Sequence, residues 1–296
     1  MRVTHQSMVN NAIQHMASSK DTIARLQSKI AAGKQNLAPS DDPVSTSQSM
    51  SMRSTLVNLQ AYRNTTDLAR EWMNATDFSL GQLETVTIRA IGLVTRGLSD
   101  TMGRDERAFS LATEISAMIN QVVQTGNASH KGEYIFSGYQ IHAQPFPADY
   151  AASLIYNGDS GILQRSIGPG QNVILNVPGE SIIRPLVEGL VAARDALQAV
   201  AYDPNTLQTA LEALQSYLNT LESQRTTLGA RIRQVQTATD GIEKTEIELK
   251  GLLSRKEDLD FAEAISLLRG QETSYQAVLE VSRRAISALS LFDYLR

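Results

Sequence analysis

The sequence contains no cysteine. That removes disulfides, thiolate nucleophiles, cysteine zinc sites and iron–sulfur ligation together. Aromatic residues make up only 5%, with a single tryptophan, Trp72. A core must therefore be built from Leu, Ile, Val, Ala and Met, a set better suited to helix packing than to a sheet sandwich. Lys and Arg number 27 against 31 Asp and Glu, a formal charge of −4. Without a basic excess or a basic cluster, nucleic acid is not an expected partner. No run of about 18 apolar residues is present, and residues 1–20 lack the apolar stretch of a signal peptide. Neither membrane insertion nor export by a cleaved signal peptide is expected.

Glycine and proline are unevenly placed. Between Gly132 and Gly179 lie 7 of the 18 Gly and 4 of the 8 Pro. The same window holds β-like runs at 133–137, 153–156, 162–167 and 172–177, and Asn157-Gly158-Asp159-Ser160-Gly161 reads as a hairpin loop between two of them. The remainder reads as helix, with a turn at 100–104. Asp42 before Pro43 and Asp203 before Pro204 each pair an N-cap acceptor with a proline at the first helical position. The reading is a mainly α chain of long antiparallel helices, a coiled-coil and helical-bundle rod carrying a small β-rich insertion. Three parts are expected: residues 1–42 with 255–296 as a terminal coiled coil, 43–130 with 186–254 as a helical bundle, and 131–185 as the insertion.

Both chain ends carry heptad spacing. Near the C-terminus Phe261, Ile265, Leu268, Tyr275, Leu279, Ile286 and Leu289 fall on an a/d seam interrupted by Glu272 and Ser282. Near the N-terminus Val9, Ile13, Met16, Ile23 and Ile30 follow the same alternation, with Leu26 beside the seam and Lys20 and Gln27 within it. Two helices packed only on each other leave part of such stripes wet, and exposed apolar area of that kind marks an assembly surface. An outer pair of helices in an ordinary bundle would carry the same periodicity. The polar interruptions are suited to setting register.

Catalytic and ligand-binding patterns are poorly supported. His5, His15, His130 and His142 have no partner at metal-ligand spacing and read as solvated surface residues. Gly33-Lys34-Gln35 lacks the upstream glycine and the Ser or Thr of a phosphate loop, and Gly168-Pro169-Gly170 opens no dinucleotide fingerprint. Asp41 and Asp42 are adjacent carboxylates, but Asp42 already has a capping role ahead of Pro43, and adjacent loop side chains do not readily face one substrate. Trp72 reads as a core residue. No catalytic residue, metal or cofactor is expected.

Residues 24–34 (Ala-Arg-Leu-Gln-Ser-Lys-Ile-Ala-Ala-Gly-Lys) followed by 38–43 (Ala-Pro-Ser-Asp-Asp-Pro) resemble the conserved N-terminal segment of the flagellin family. Filament flagellins commonly carry Asp-Asp-Ala-Ala-Gly there, whereas Asp41-Asp42-Pro43 followed by Val44 is similar to the family's hook–filament junction members. Residues 132–138 with Pro145-Phe146, residues 173–179, residues 260–264 and residues 290–295 are similar to junction-type segments as well. The resemblance implies a non-enzymatic structural part of the bacterial flagellum, exported through the flagellar type III apparatus without a cleaved signal and located outside the cell where hook meets filament. Implied partners are a hook-side junction protein, flagellin filament subunits, copies of the chain itself in a ring, and an export chaperone. A minor flagellin-like filament subunit stays open as the alternative.

Overall fold

The computed structural model describes residues 5–99, 103–153 and 155–294. It is mainly helical: α1 (His5–Ala32), α2 (Pro43–Gly97), a π-helical turn (Glu106–Leu111) running into α3 (Ala112–Gly126), α4 (Tyr150–Ser153), α5 (Glu180–Gln198), α6 (Pro204–Glu257) and α7 (Phe261–Tyr294). Two small antiparallel hairpins interrupt the helices, β1 (Ser129–His130) with β2 (Glu133–Tyr134) and β3 (Gln164–Gly168) with β4 (Gln171–Ile174). The long helices start where the proline pairs place them. Asp42 Oδ1 accepts from the Ser45 amide at 3.0 Å, and Asp203 Oδ1 accepts from the Asn205 amide at 3.0 Å.

The chain groups into two compact units, residues 58–244 and residues 1–57 with 245–296. The first holds the core. Met73, Leu80 and Leu83 of α2, Ile115 and Ile119 of α3, Leu186 and Leu190 of α5, and Leu207 and Leu214 of α6 are all fully buried in one apolar cluster. At about 1.5–3 kcal/mol per buried large side chain, this cluster supplies the driving force of the unit. Residues 131–185 belong to the same cluster through Ile135, Phe136, Phe146 and Tyr150, each at most 1% exposed. The Phe146 and Tyr150 rings meet edge to face at 4.7 Å, and the Asn127 side chain clamps the Phe146 backbone by giving to its carbonyl at 2.6 Å and accepting from its amide at 2.9 Å. Trp72 is buried in this core.

Inside the insertion the strands are fewer than the run pattern suggests. Of the 153–156 run, Ser153 ends the helical turn Tyr150–Ser153, Ile155 and Tyr156 lie in no strand, and Leu154 lies outside the described residues. Residues 157–161 close no hairpin. Asp159 Oδ1 accepts from the amides of Tyr139 at 2.8 Å and Gly161 at 2.7 Å, which pins this loop to the turn at Gly138. Gly138 has φ of +70°, and Cβ there would stand only 2.1 Å from Asp159 Oδ1. The hairpin turn lies instead between β3 and β4, where Gly170 takes φ of +70°. Of the 133–137 run only Glu133–Tyr134 is strand, paired with Ser129–His130 across Lys131 and Gly132, both at positive φ. The turn read at 100–104 falls partly outside the described residues; α2 ends at Gly97.

Candidate assembly site

The unit formed by residues 1–57 and 245–296 differs sharply from the other. Among its described residues Ala264 is the only buried apolar side chain. Ile13, Val44, Met50, Val57, Ile247, Phe261, Ile265, Leu267, Leu279 and Val281 are instead exposed. Such a unit has helices and hydrogen bonds but almost no core, and its apolar surface is the candidate site.

Two turns hold the unit together. Asp41 Oδ2 accepts from the amides of Leu37 at 3.0 Å and Ala38 at 3.1 Å, which fixes the α1–α2 turn before Asp42 caps α2. Those two amides hold the Asp41 carboxyl below its ordinary range. Both carboxylates of the Asp41-Asp42 pair are thus spent on backbone amides. In the α6–α7 turn Asp260 Oδ1 accepts from the amides of Ala262 at 2.9 Å and Glu263 at 3.1 Å, capping α7. The two turns then bond to each other: the Gln35 amide donates to the Glu257 carbonyl at 2.8 Å, and the Leu259 amide to the Gly33 carbonyl at 3.1 Å. Gly33 takes φ of +65°, and the Phe261 ring lies 3.6 Å from where its Cβ would stand.

An ion cluster closes over this backbone pairing. Lys34 Nζ donates to Asp258 Oδ1 at 2.9 Å and to Glu257 Oε2 at 3.3 Å, while Arg53 Nε donates to Glu257 Oε1 at 3.0 Å. Arg53 first, then Lys34, keep the Glu257 carboxyl below its ordinary range. Asp258 is held low by the Ser254 hydroxyl, 2.6 Å away, and by Lys34. A cleft of about 290 Å³ beside the cluster is lined by Leu37, Pro39, Ser49, Met50 and Arg53. Sequence reading missed Glu257, Asp258 and Arg53. Their partners are more than 200 residues away, so no local pattern exposes them.

Helices α1 and α7 pack along each other. Ala12, Met16, Ser19, Ile23, Leu26 and Ile30 on α1 are half-buried and spaced alternately by four and three, with Lys29 half-buried beside Ile30, while Ile13, Lys20 and Gln27 are exposed. On α7 Ala264 is buried and Leu268, Gln271, Glu272, Tyr275, Val278, Glu280 and Ser282 are half-buried. Gln271 Nε2 donates to Ser19 Oγ at 3.2 Å across the pair, which fixes the register. The observed line is therefore rotated from the heptad reading. Met16, Ile23, Leu26 and Ile30 share it with Leu268 and Tyr275, whereas Ile13, Phe261, Ile265 and Leu279 stay outside. Ile265 and Leu279 each follow an inward position by one residue, and Leu267 and Val281 each precede one, so apolar side chains flank the pair on both sides. The side chains of Val9, Ile286 and Leu289 lie outside the described residues.

Among the described residues no group of three or more His, Asp and Glu is placed to hold a metal ion. His15 and His142 are exposed, but His130 is not a solvated residue: it stands half-buried, its ring edge-on to Trp72 at 6.4 Å. The His5 side chain lies outside the described residues.

Residues 3–141 match the bacterial flagellin N-terminal helical region and residues 211–295 the bacterial flagellin C-terminal helical region, together about three quarters of the chain. The chain belongs to the flagellin family. Within this flagellin-family chain, the two matched regions contain α1, α2 and α3 on one side and most of α6 with α7 on the other. The flagellar hook-associated protein 3 of Escherichia coli is 23% identical over 265 residues, covering 88% of this chain and 82% of its own length. Two solved structures share the fold. FlgL of Bacillus cereus is 21% identical with a TM-score of 0.60, covering 69% of this chain and 99% of its own. The flagellar junction protein FlgL of Legionella pneumophila is 15% identical with a TM-score of 0.55, covering 73% and 100%.

Proposed function

We propose that this chain is a structural component of the bacterial flagellum that joins hook to filament by packing its terminal helices against neighbouring subunits. The carrying observation is the unit of residues 1–57 and 245–296, which has helices and hydrogen-bonded turns but a single buried apolar side chain among its described residues. Its core is supplied by other subunits. At about 25 cal/mol per Å², burying about 600 Å² of apolar surface per helix yields on the order of 15 kcal/mol gross, which offsets much of the ordering cost.

The seam residues act in this reading as a set. Met16, Ile23, Leu26, Ile30, Leu268 and Tyr275 hold α1 to α7, while Ile13, Phe261, Ile265 and Leu279 are left for neighbouring subunits, and the heptad spacing of the sequence assigns Val9, Ile286 and Leu289 to the assembly seam. Asp41, Asp42 and Pro43 set the turn that lets α1 leave α2. The partners are a hook-side junction protein, flagellin filament subunits, further copies of the chain in a ring, and a chaperone that covers the apolar flanks before export. The chain acts outside the cell, passes through the flagellar export apparatus without a cleaved signal peptide, and performs no catalysis.

Electron microscopy of cells lacking the gene tests this, with the medium assayed for unassembled flagellin. Bare hooks and flagellin in the medium are the expected result. Hooks with ordinary filaments would overturn it and leave a dispensable filament subunit as the reading. Long filaments formed by the purified protein alone would point the same way.

A further inference from the structure

Ser49 of α2 is 5% exposed and borders the cleft of about 290 Å³ beside the Lys34–Glu257 cluster. Its hydroxyl has no hydrogen-bond partner among the described residues. Elsewhere on α2 the Thr55 and Ser79 hydroxyls each donate to the carbonyl four residues back at 3.0 Å, the ordinary outlet for a helical serine or threonine. Ser49 leaves that outlet unused. Nor is its oxygen sealed inside the protein, as the unpaired Tyr150 and Tyr217 hydroxyls are, so it opens on the cleft that Ser49 lines. A nearly buried donor facing a cleft calls for an acceptor there.

The charged lining is rich in donors. Lys34, Arg53 and Lys256 share it with a single carboxylate, Glu257, whose two oxygens already take Arg53 and Lys34. Asp258 also holds Lys34, at 2.9 Å. Lys256 is the cation left over: half-buried, it donates to the Gln48 amide oxygen at 2.7 Å and to no carboxylate among the described residues. Leu37, Pro39 and Met50 are the larger apolar side chains of the lining, and Leu37 and Met50 are well exposed.

We propose that this cleft receives an acidic side chain of a neighbouring flagellar subunit. Its carboxylate accepts from Ser49 and Lys256, and its short aliphatic stem packs on Leu37, Pro39 and Met50. One surplus positive charge matches one carboxylate, and the stem covers apolar lining that a bare inorganic anion would leave wet. The cleft lies in the unit of residues 1–57 and 245–296, so its occupant comes with the neighbours that cover that unit. In this respect the inference rests on the assembly reading.

The test separates the cleft from the assembly. The full chain is titrated with butyrate, butyramide and chloride while the Ser49 and Met50 amides are followed by heteronuclear NMR. Butyrate is expected to shift them saturably and about tenfold more tightly than butyramide, which has the same stem without the charge, while chloride gives no saturable shift. Ser49→Ala puts a better helix former at the site, so thermal melting should show no loss while butyrate affinity falls about tenfold. Lys256→Gln should bring butyrate down to the butyramide affinity. In cells both variants are expected to swim poorly and to shed flagellin into the medium. The inference is overturned if butyrate does not saturate, if butyramide or chloride matches it, or if either variant binds butyrate as the parent does. Each of those results leaves the assembly reading standing, because bare hooks in cells lacking the gene do not depend on the cleft. Butyrate binding together with normal swimming in both variants overturns the neighbouring subunit as occupant.

Discussion

The Arg107 guanidinium lies 4.1 Å over the Tyr202 ring, and both side chains donate to the same acceptor, the Gly97 carbonyl, at 3.0 and 3.1 Å. Arg107 also donates to the Ser99 carbonyl at 2.8 Å, so one buried side chain closes the open carbonyls at the end of α2. Arg107→Ala takes the guanidinium from both carbonyls, leaving the Gly97 oxygen with the Tyr202 hydroxyl alone, and removes the stacking. It is expected to destabilise the unit of residues 58–244 by about 2–4 kcal/mol in urea unfolding followed by Trp72 fluorescence. Arg107→Lys should recover less than half, since an ammonium cannot stack and reach both oxygens. A loss below about 0.5 kcal/mol for the alanine variant would contradict this account.

Gly97 itself is constrained by space. A Cβ there would come within 2.8 Å of Leu197 Cδ2 and 3.2 Å of Leu207 Cδ2, both in the core. Gly97→Ala is expected to cost about 1–3 kcal/mol by overpacking, despite alanine's better helix propensity. A stabilised Gly97→Ala protein in thermal melting would show that the two leucines yield.

The unit of residues 1–57 and 245–296, with one buried apolar side chain among its described residues, is expected to exchange its amides quickly in the isolated monomer. Protection should be low along α1 and α7 and high at Leu83, Ile119 and Leu214, and it should rise in the terminal helices on assembly. Slow exchange at Leu268 in a proven monomer would show that the α1–α7 pair is stable without neighbours.

Charges on the flank and in the pair should separate two roles. Ile265→Asp and Leu279→Asp lie on exposed positions, so urea unfolding of the monomer should change by less than about 0.5 kcal/mol while motility is lost. Leu268→Asp faces α1 and should raise exchange along α1 in the monomer as well. Normal swimming in the first two variants would remove the flank from the assembly reading.

Acid should loosen the paired turns first. The Glu257 and Asp258 carboxyls sit below their ordinary values of 4.5 and 3.8 in the folded chain. Their contribution is fully present above those values and is lost as pH falls through the depressed folded ones. Protection factors of the Gln35 and Leu259 amides, corrected for intrinsic exchange, should therefore drop below about pH 4. Glu257→Gln should weaken them already at neutral pH. Unchanged protection in that variant would mean that the backbone pairing stands without the ion cluster.

Local chemistry was legible in the sequence, and long-range chemistry was not. Asp42-Pro43 and Asp203-Pro204 mark helix starts because a cap and its amides lie within three residues. The heptads showed that the ends are helical, but they pointed to the larger apolar residues as the seam. The α1–α7 contact also takes in Ala12, Ser19, Ala264 and Gln271, small or polar side chains that alternate with Met16, Ile23, Leu268 and Tyr275, and this leaves Ile265 and Leu279 outside. The insertion's glycines signalled turns correctly. Which turn closes a hairpin depended on Asp159 reaching the Tyr139 amide, a contact between loops 20 residues apart.

The bridge between Lys34 and Glu257 joins positions 223 residues apart. A chain that emerges from its N-terminus has made almost all of itself before that bridge has a second half. Closing so long a loop is entropically slow, and the α1–α2 turn must wait, capped by Asp41 and Asp42 but unclosed, until Leu259 arrives. Residues 58–244 need no such delay, since every group in their core is already present. The molecule thus keeps time as well as shape: its self-sufficient part can finish first, and its adhesive part is completed last.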